Sequence, residues 1–173
     1  MMIDVAATSR QQECRHPAAP PSTRSGKGGQ AGWGFTAVRT THVSLQTDTD
    51  TGFHPDAAVR EECGRVVTNP KQPEYIGAAR ATNNTAELSA VYHALSEARE
   101  LVLPGEEVPL LSDSQLAICT TTGAWASRKH KALVASNRRA LARLRADGVK
   151  VQLRHVRAHT GHGMNELEPT DYL

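Results

Sequence analysis

The stretch Thr82–Asp113, TNNTAELSAVYHALSEARELVLPGEEVPLLSD, decides the fold. Val91, Ala94, Leu95, Ala98, Leu101 and Val102 recur at the i, i+3, i+4, i+7 spacing of a single helical face. That periodicity predicts an amphipathic helix from about Asn84 to Val102. Asn83 or Asn84 serves as N-cap, and Pro104-Gly105 stops the helix. The apolar run Val108–Leu111 follows, the pattern of a buried strand, with Asp113 just beyond its end. A helix and a buried strand joined by a tight turn must cover each other's apolar surface, which is the signature of an α/β layer.

The same reading extends to both sides. C-terminally, Ser114–Thr120 fits a short helix. Leu133, Val134, Asn137, Leu141 and Leu144 mark a further amphipathic helix that ends at Asp147-Gly148. Val149, Val151 and Leu153 alternate with Lys150 and Gln152, as in a last strand. N-terminally, Trp33, Phe35 and Ala37 alternate with Gly34 and Thr36, giving a strand with one buried face. Gly64–Val67 and Tyr75–Ala79 read as two more short strands around an Asn69-Pro70 turn, and 40–60 as a surface loop. The predicted architecture is a mixed sheet of about five strands flanked by helices. Residues 1–30 form an irregular Pro-, Gly- and Ser-rich segment in which Met2–Ala6 could supply the first strand, and 31–173 form the folded domain.

Composition narrows the class. Aromatics are 4% of the chain, so the core must rest on Leu, Val, Ile and Ala. The net charge of +2 is too small to argue for a polyanionic partner by itself. Its distribution is more informative: Arg128, Lys129, Lys131, Arg138, Arg139, Arg143 and Arg145 occur before the next acid, Asp147. Such a run is either a solvated helix face or a phosphate-tracking surface. Cys14, Cys63 and Cys119 are scattered and odd in number, which argues against a disulfide framework or a cysteine zinc site and for an intracellular setting, cytoplasm or nucleus. No apolar run is long enough to span a membrane.

Two carboxylates carry the chemistry. Glu87 lies on the stripe of Val91, Leu95 and Ala98, where a charge must be exposed at the helix end, paired or bound to a cation. Asp113 sits where ligands collect in open α/β sheets, beyond the carboxyl end of a strand. Each has a plainer reading, as a helix-dipole acid and as a helix cap respectively. Together, a helix start and a neighbouring strand end bearing acids suit a hard cation such as Mg2+.

At this point four segments resemble the type-1 ribonuclease H family. Thr82-Asn83-Asn84-Thr85-Ala86-Glu87-Leu88 resembles its TNN-x-x-E-L segment, and Ser112-Asp113-Ser114-Gln115 its S-D-S-Q strand end. His159-Thr160-Gly161-His162 with Asn165-Glu166 resembles H-x-G-H-x-x-N-E, and Gly32-Trp33-Gly34-Phe35 its second strand. Each motif alone is weak; their common order is not. The resemblance implies an RNase H-like fold that cuts the RNA strand of an RNA–DNA hybrid. It implies four carboxylates holding two Mg2+ ions (Mn2+ as a substitute), one ion activating a water and the other stabilising the leaving 3′-oxygen. Glu87 and Asp113 carry over as metal ligands and catalytic residues. Asn83, Asn84 and Gln115 carry over as minor-groove contacts, Thr82 as a phosphate contact, and His159 as the loop histidine of water activation or product release. Arg138 and Arg139 belong to the basic helix that resembles the region tracking the hybrid's backbone.

Both ends depart from the family pattern. The D-G-S triplet of the first strand is missing. One alignment takes Asp4 as its carboxylate, and another sets Thr23-Arg24-Ser25 at the triplet, with Thr23 in the aspartate's place. Asp4 is preferred because it keeps an acid on a plausible strand. After Asn165-Glu166, Pro169 stands where the fourth ligand belongs, leaving Glu168 or Asp171 as substitutes; Asp171 is taken as the ligand. The family's last helix is largely absent before Leu173. His155, His159 and His162 have a spacing compatible with zinc but no clear fourth ligand. The expectation is therefore a monomeric hybrid endonuclease that has no membrane partner. The alternatives are a catalytically impaired hybrid-binding domain and an RNase H domain cut from a retroelement polyprotein.

Overall fold

The computed structural model describes residues 2–8, 31–38 and 58–156. Strands β1 (Met2–Thr8), β2 (Gly32–Val38) and β3 (Ala58–Arg65) come first. Helix α1 (Asn83–Leu101), strand β4 (Glu107–Ser112), helices α2 (Gln115–Thr122) and α3 (Lys131–Ala146), and strand β5 (Lys150–His155) follow. The five strands form one sheet in the order β3-β2-β1-β4-β5. β1 pairs antiparallel with β2 and parallel with β4, and β4 pairs parallel with β5, so the sheet is mixed. The expected fold class is thus the observed one. The first strand lies at the centre of the sheet, although the sequence around it reads as irregular.

Helix α1 covers this sheet. Leu88, Val91, Ala94, Leu95 and Ala98 are buried in one cluster with Phe35 and Ala37 of β2, Val108 and Leu110 of β4, and Leu133, Leu141 and Leu144 of α3. Full burial of each large aliphatic side chain is worth about 1.5–3 kcal/mol, so this face of α1 outweighs its modest intrinsic helix preference.

Four local expectations are corrected. The strand expected at 64–67 is β3, and it begins at Ala58, inside the stretch read as loop. Its length follows from pairing with β2, which runs from Gly32↔Arg65 to Val38↔Ala58. Charged Arg60, Glu61 and Glu62 hide that strand from a hydrophobicity pattern because β3 is an edge strand. Tyr75–Ala79 is not a strand. Gly77 has φ +111, which breaks an extended run, and a Cβ there would meet the Ala132 and Leu133 backbone at 2.7 Å. The segment is a loop pressed onto the start of α3. The N-cap of α1 is Thr82, not an asparagine: its side chain accepts from the Thr85 N–H, and the Thr85 hydroxyl accepts from the Thr82 N–H. Finally, Cys119 is a free thiol but Cys63 is disulfide-bonded, so the reading against disulfides does not hold for Cys63. No helix among the described residues is long and apolar enough to cross a membrane.

Candidate functional site

Three element ends meet at one edge of the core: the start of α1, the carboxyl end of β4 and the start of α2. Each is fixed locally. The Thr82–Thr85 capping box sets the first turn of α1, and the Thr85 hydroxyl also donates to the Arg80 carbonyl at 2.8 Å. On the other side, the Ser114 N–H donates to the Ser112 hydroxyl oxygen, and the Ser114 hydroxyl accepts from the Ala117 N–H as the cap of α2. The cap of the short helix is therefore Ser114. Asp113 is exposed and left available.

The two ends are joined through Glu87. The Ser114 hydroxyl donates to one Glu87 carboxylate oxygen at 2.5 Å, and the Asn83 amide donates to the other at 2.5 Å. Glu87 is partly buried, and its pKa is raised above the ordinary carboxylate value. Burial is the larger cause; the nearby Asp113 charge adds to it, and the Ser114 and Asn83 donors oppose it. Two acids repelling each other in a partly desolvated place are stabilised by a cation with oxygen preference. The residues present thus fit a divalent metal. His155, at the end of β5, brings Nε2 to 3.1 Å from the Asp113 carbonyl oxygen, and the Val156 N–H donates to the Ser112 carbonyl at 3.0 Å. Asp113 is braced from the neighbouring strand.

Asn84 and Gln115 are exposed beside this pair, on the first turns of α1 and α2. The structure thus brings together Thr82, Asn83, Asn84, Glu87, Asp113 and Gln115. Thr82 is engaged in capping. Asp4 lies in β1 opposite Leu111 of β4 and Thr36 of β2. Since Val5 pairs with Ser112, position 4 is two residues, or about 7 Å, short of the level of Asp113 along the parallel pair.

Arg138 and Arg139 lie on α3, and Arg138 reaches the far end of α2. The Arg138 guanidinium donates to the Thr120 carbonyl at 2.8 Å and the Trp125 carbonyl at 3.2 Å, closing the end of that helix. An Arg139 nitrogen donates to the Ser136 hydroxyl at 2.9 Å. Both residues remain exposed. His159, His162, Glu168 and Asp171 lie outside the described residues, and with them the zinc alternative and the fourth carboxylate. Among the described residues, no three His, Cys, Asp or Glu side chains cluster as a metal site.

The residue that sequence reasoning overlooked is Ser114. It stood in the quoted motif, and a Ser three residues before Ala117 is a recognisable cap. Its second bond, to Glu87, spans 27 positions and has no local signal.

Comparisons with known proteins agree with this fold. The RNase H family model matches residues 24–168. None of the curated protein sequences matches the chain significantly. Among solved structures, the RNase H1 of the halophilic archaeon Halobacterium salinarum superposes with TM-score 0.55 at 22% identity, covering 90% of this chain and 84% of that one. The N-terminal RNase H domain of rv2228c from Mycobacterium tuberculosis gives 0.52 at 19% identity, covering 89% and 81%. LC11-RNase H1, solved in complex with an RNA/DNA hybrid, gives 0.54 at 17% identity, covering 90% and 84%.

Proposed function

Because the chain belongs to the RNase H family, we propose that it is a metal-dependent endonuclease cutting the RNA strand of RNA–DNA hybrids. The observation that carries this reading is the convergence of Glu87 and Asp113, bridged through Ser114 and flanked by exposed amides. Glu87 and Asp113 are the proposed ligands of two divalent ions, Mg2+ or Mn2+. Asp4 from β1 is the proposed third carboxylate, and Asp171 the fourth. Bound ions would supply water activation and charge neutralisation at the leaving 3′-oxygen.

The chain's own residues do the rest. Ser114 and Asn83 each hold one oxygen of Glu87, which orients the carboxylate before a cation arrives. Asn84 and Gln115 present amides where a shallow minor groove would lie, and amides distinguish a 2′-hydroxyl by donating to it or accepting from it. Asn83 can join them through its amide oxygen and second N–H while one N–H holds Glu87. Arg139 and the exposed Arg128, Lys129 and Lys131 attract the backbone phosphates. His159 is the proposed residue for water activation or product release.

A labelled RNA–DNA hybrid incubated with the chain in Mg2+ or Mn2+ tests the proposal. Endonucleolytic cuts in the RNA strand alone are expected, and they should disappear in EDTA. Tight hybrid binding without cleavage in either metal would replace the enzyme by a hybrid-binding module. Absence of both would end the reading.

A further inference from the structure

We propose that Asn137 is a positioning residue for the Glu87–Asp113 pair, acting from behind by locking the start of α1 to the end of α2. The inference rests on the metal-binding reading above and concerns what keeps that pair in place. Asn137 is on α3, in a stripe otherwise made of Leu133, Val134, Leu141 and Leu144, and is fully buried. Its Nδ2 donates to the Leu88 carbonyl at 2.9 Å and to the Thr121 hydroxyl at 3.2 Å. Leu88 is the residue after Glu87 on α1; Thr121 is in the last turn of α2. One amide therefore ties three helices.

Stability alone does not account for it. The Oδ1 atom of Asn137 is buried with no hydrogen-bond partner among the described residues. A buried amide whose oxygen meets no protein partner there gains little stability over an apolar side chain of the same size. What the amide adds is register. Helix α2 is held to Glu87 at its start by Ser114 and to α3 at its end by Arg138, through Thr120 and Trp125. Asn137 closes the triangle by binding α1 one residue past the carboxylate. The eight residues of α2 make a rod about 12 Å long. A tilt of about 5° pivoting at its end would shift Ser114 and Asp113 by about 1 Å. Metal–oxygen distances tolerate about 0.2 Å. Slack at Thr121 is thus large enough to matter at Asp113.

The test compares the wild type with Asn137→Leu and Thr121→Val. Mn2+ binding is titrated calorimetrically, hybrid binding is measured in metal-free buffer, and unfolding is followed in urea. Asn137→Leu should weaken Mn2+ by roughly tenfold, the size seen when supporting partners of metal ligands are removed. It should alter metal-free hybrid binding far less than Mn2+ affinity and leave unfolding cooperative. Thr121→Val keeps the Leu88 bond and should weaken Mn2+ by about threefold. A purely structural role would alter the urea midpoint and leave the Mn2+ affinity alone; that result overturns the proposal. If Asn137→Leu does not unfold cooperatively, Thr121→Val decides: unchanged Mn2+ affinity overturns the proposal and the threefold loss sustains it. A wild-type chain that binds no Mn2+ refutes the metal reading itself, and this inference with it.

Discussion

His93 gives the sharpest test of the packing that carries α1. Its ring stacks on Trp33 with centroids 3.7 Å apart and an interplanar angle of 11°, and Tyr92 meets it edge-on at 5.4 Å. Trp33 is itself set against Gly64, where a Cβ would come within 2.8 Å of the indole, and its Nε1 donates to the Arg65 carbonyl at 3.2 Å. Burial in this stack lowers the His93 pKa from 6.5 to about 4, with Glu62 opposing the shift. The folded state thus prefers the neutral ring. As pH falls below 6.5 the unfolded chain takes up a proton that the folded chain resists, so stability is intact above 6.5 and is lost toward pH 4. At pH 5 the loss works out to about 2 kcal/mol, an upper value because the stack is partly open to water. His93→Phe keeps an aromatic ring on Trp33 and removes the titration. Urea unfolding of both proteins at pH 7.5 and pH 5 should show the wild type losing about 1–2 kcal/mol more than His93→Phe. The raised carboxylate of Glu87 has the opposite sign and cancels in the difference. Parallel pH dependence in the two proteins would refute a neutral, desolvated His93.

Further outcomes follow from the site. Asp113→Asn should abolish cleavage while hybrid binding persists, and should bring the Glu87 pKa down because its repelling neighbour is gone; cleavage at the wild-type rate would refute the mechanism. Ser114→Ala removes both the α2 cap and the donor to Glu87. It should cost about 1–3 kcal/mol in urea unfolding and raise the Glu87 pKa further, read by carboxyl-carbon NMR, whereas Ser114→Thr should restore both. Arg139→Glu should reduce the slope of log affinity against log salt by about one unit with little effect on stability. Arg138→Ala should lower stability by about 1–2 kcal/mol as well, since Thr120 and Trp125 lose their donor, and equal unfolding midpoints for the two variants would refute that division. Gly77→Ala should destabilise by at least about 2 kcal/mol, seen as a lowered urea midpoint, because its φ is +111 and Ala132 backbone lies in the way; an unchanged midpoint would count against the loop's contact with α3.

The elements legible from the chain alone are those whose signals are local. The apolar stripe of α1, the Leu spacing of α3 and the alternation in β2 are periodicities of 3.6 and 2, Val108–Leu111 is a continuous apolar run, and all four elements form as read. Glu87 and Asp113 were legible because one is a charge set in an apolar helical stripe and the other closely follows an apolar run. The tertiary structure alone decided what depends on distant partners. β3 extends through charged residues because β2 pairs with it along its length. Tyr75–Ala79 fails as a strand because α3, more than fifty residues on, leaves Gly77 no room for a side chain. Asn137 reads as one polar break in a stripe until Leu88 and Thr121 are beside it. Ser114 gains its significance only when Glu87 comes within reach of its hydroxyl hydrogen bond. Periodicity reports which face of an element is buried, whereas the partner of a buried polar atom is set by packing across tens of residues, and no local pattern encodes that.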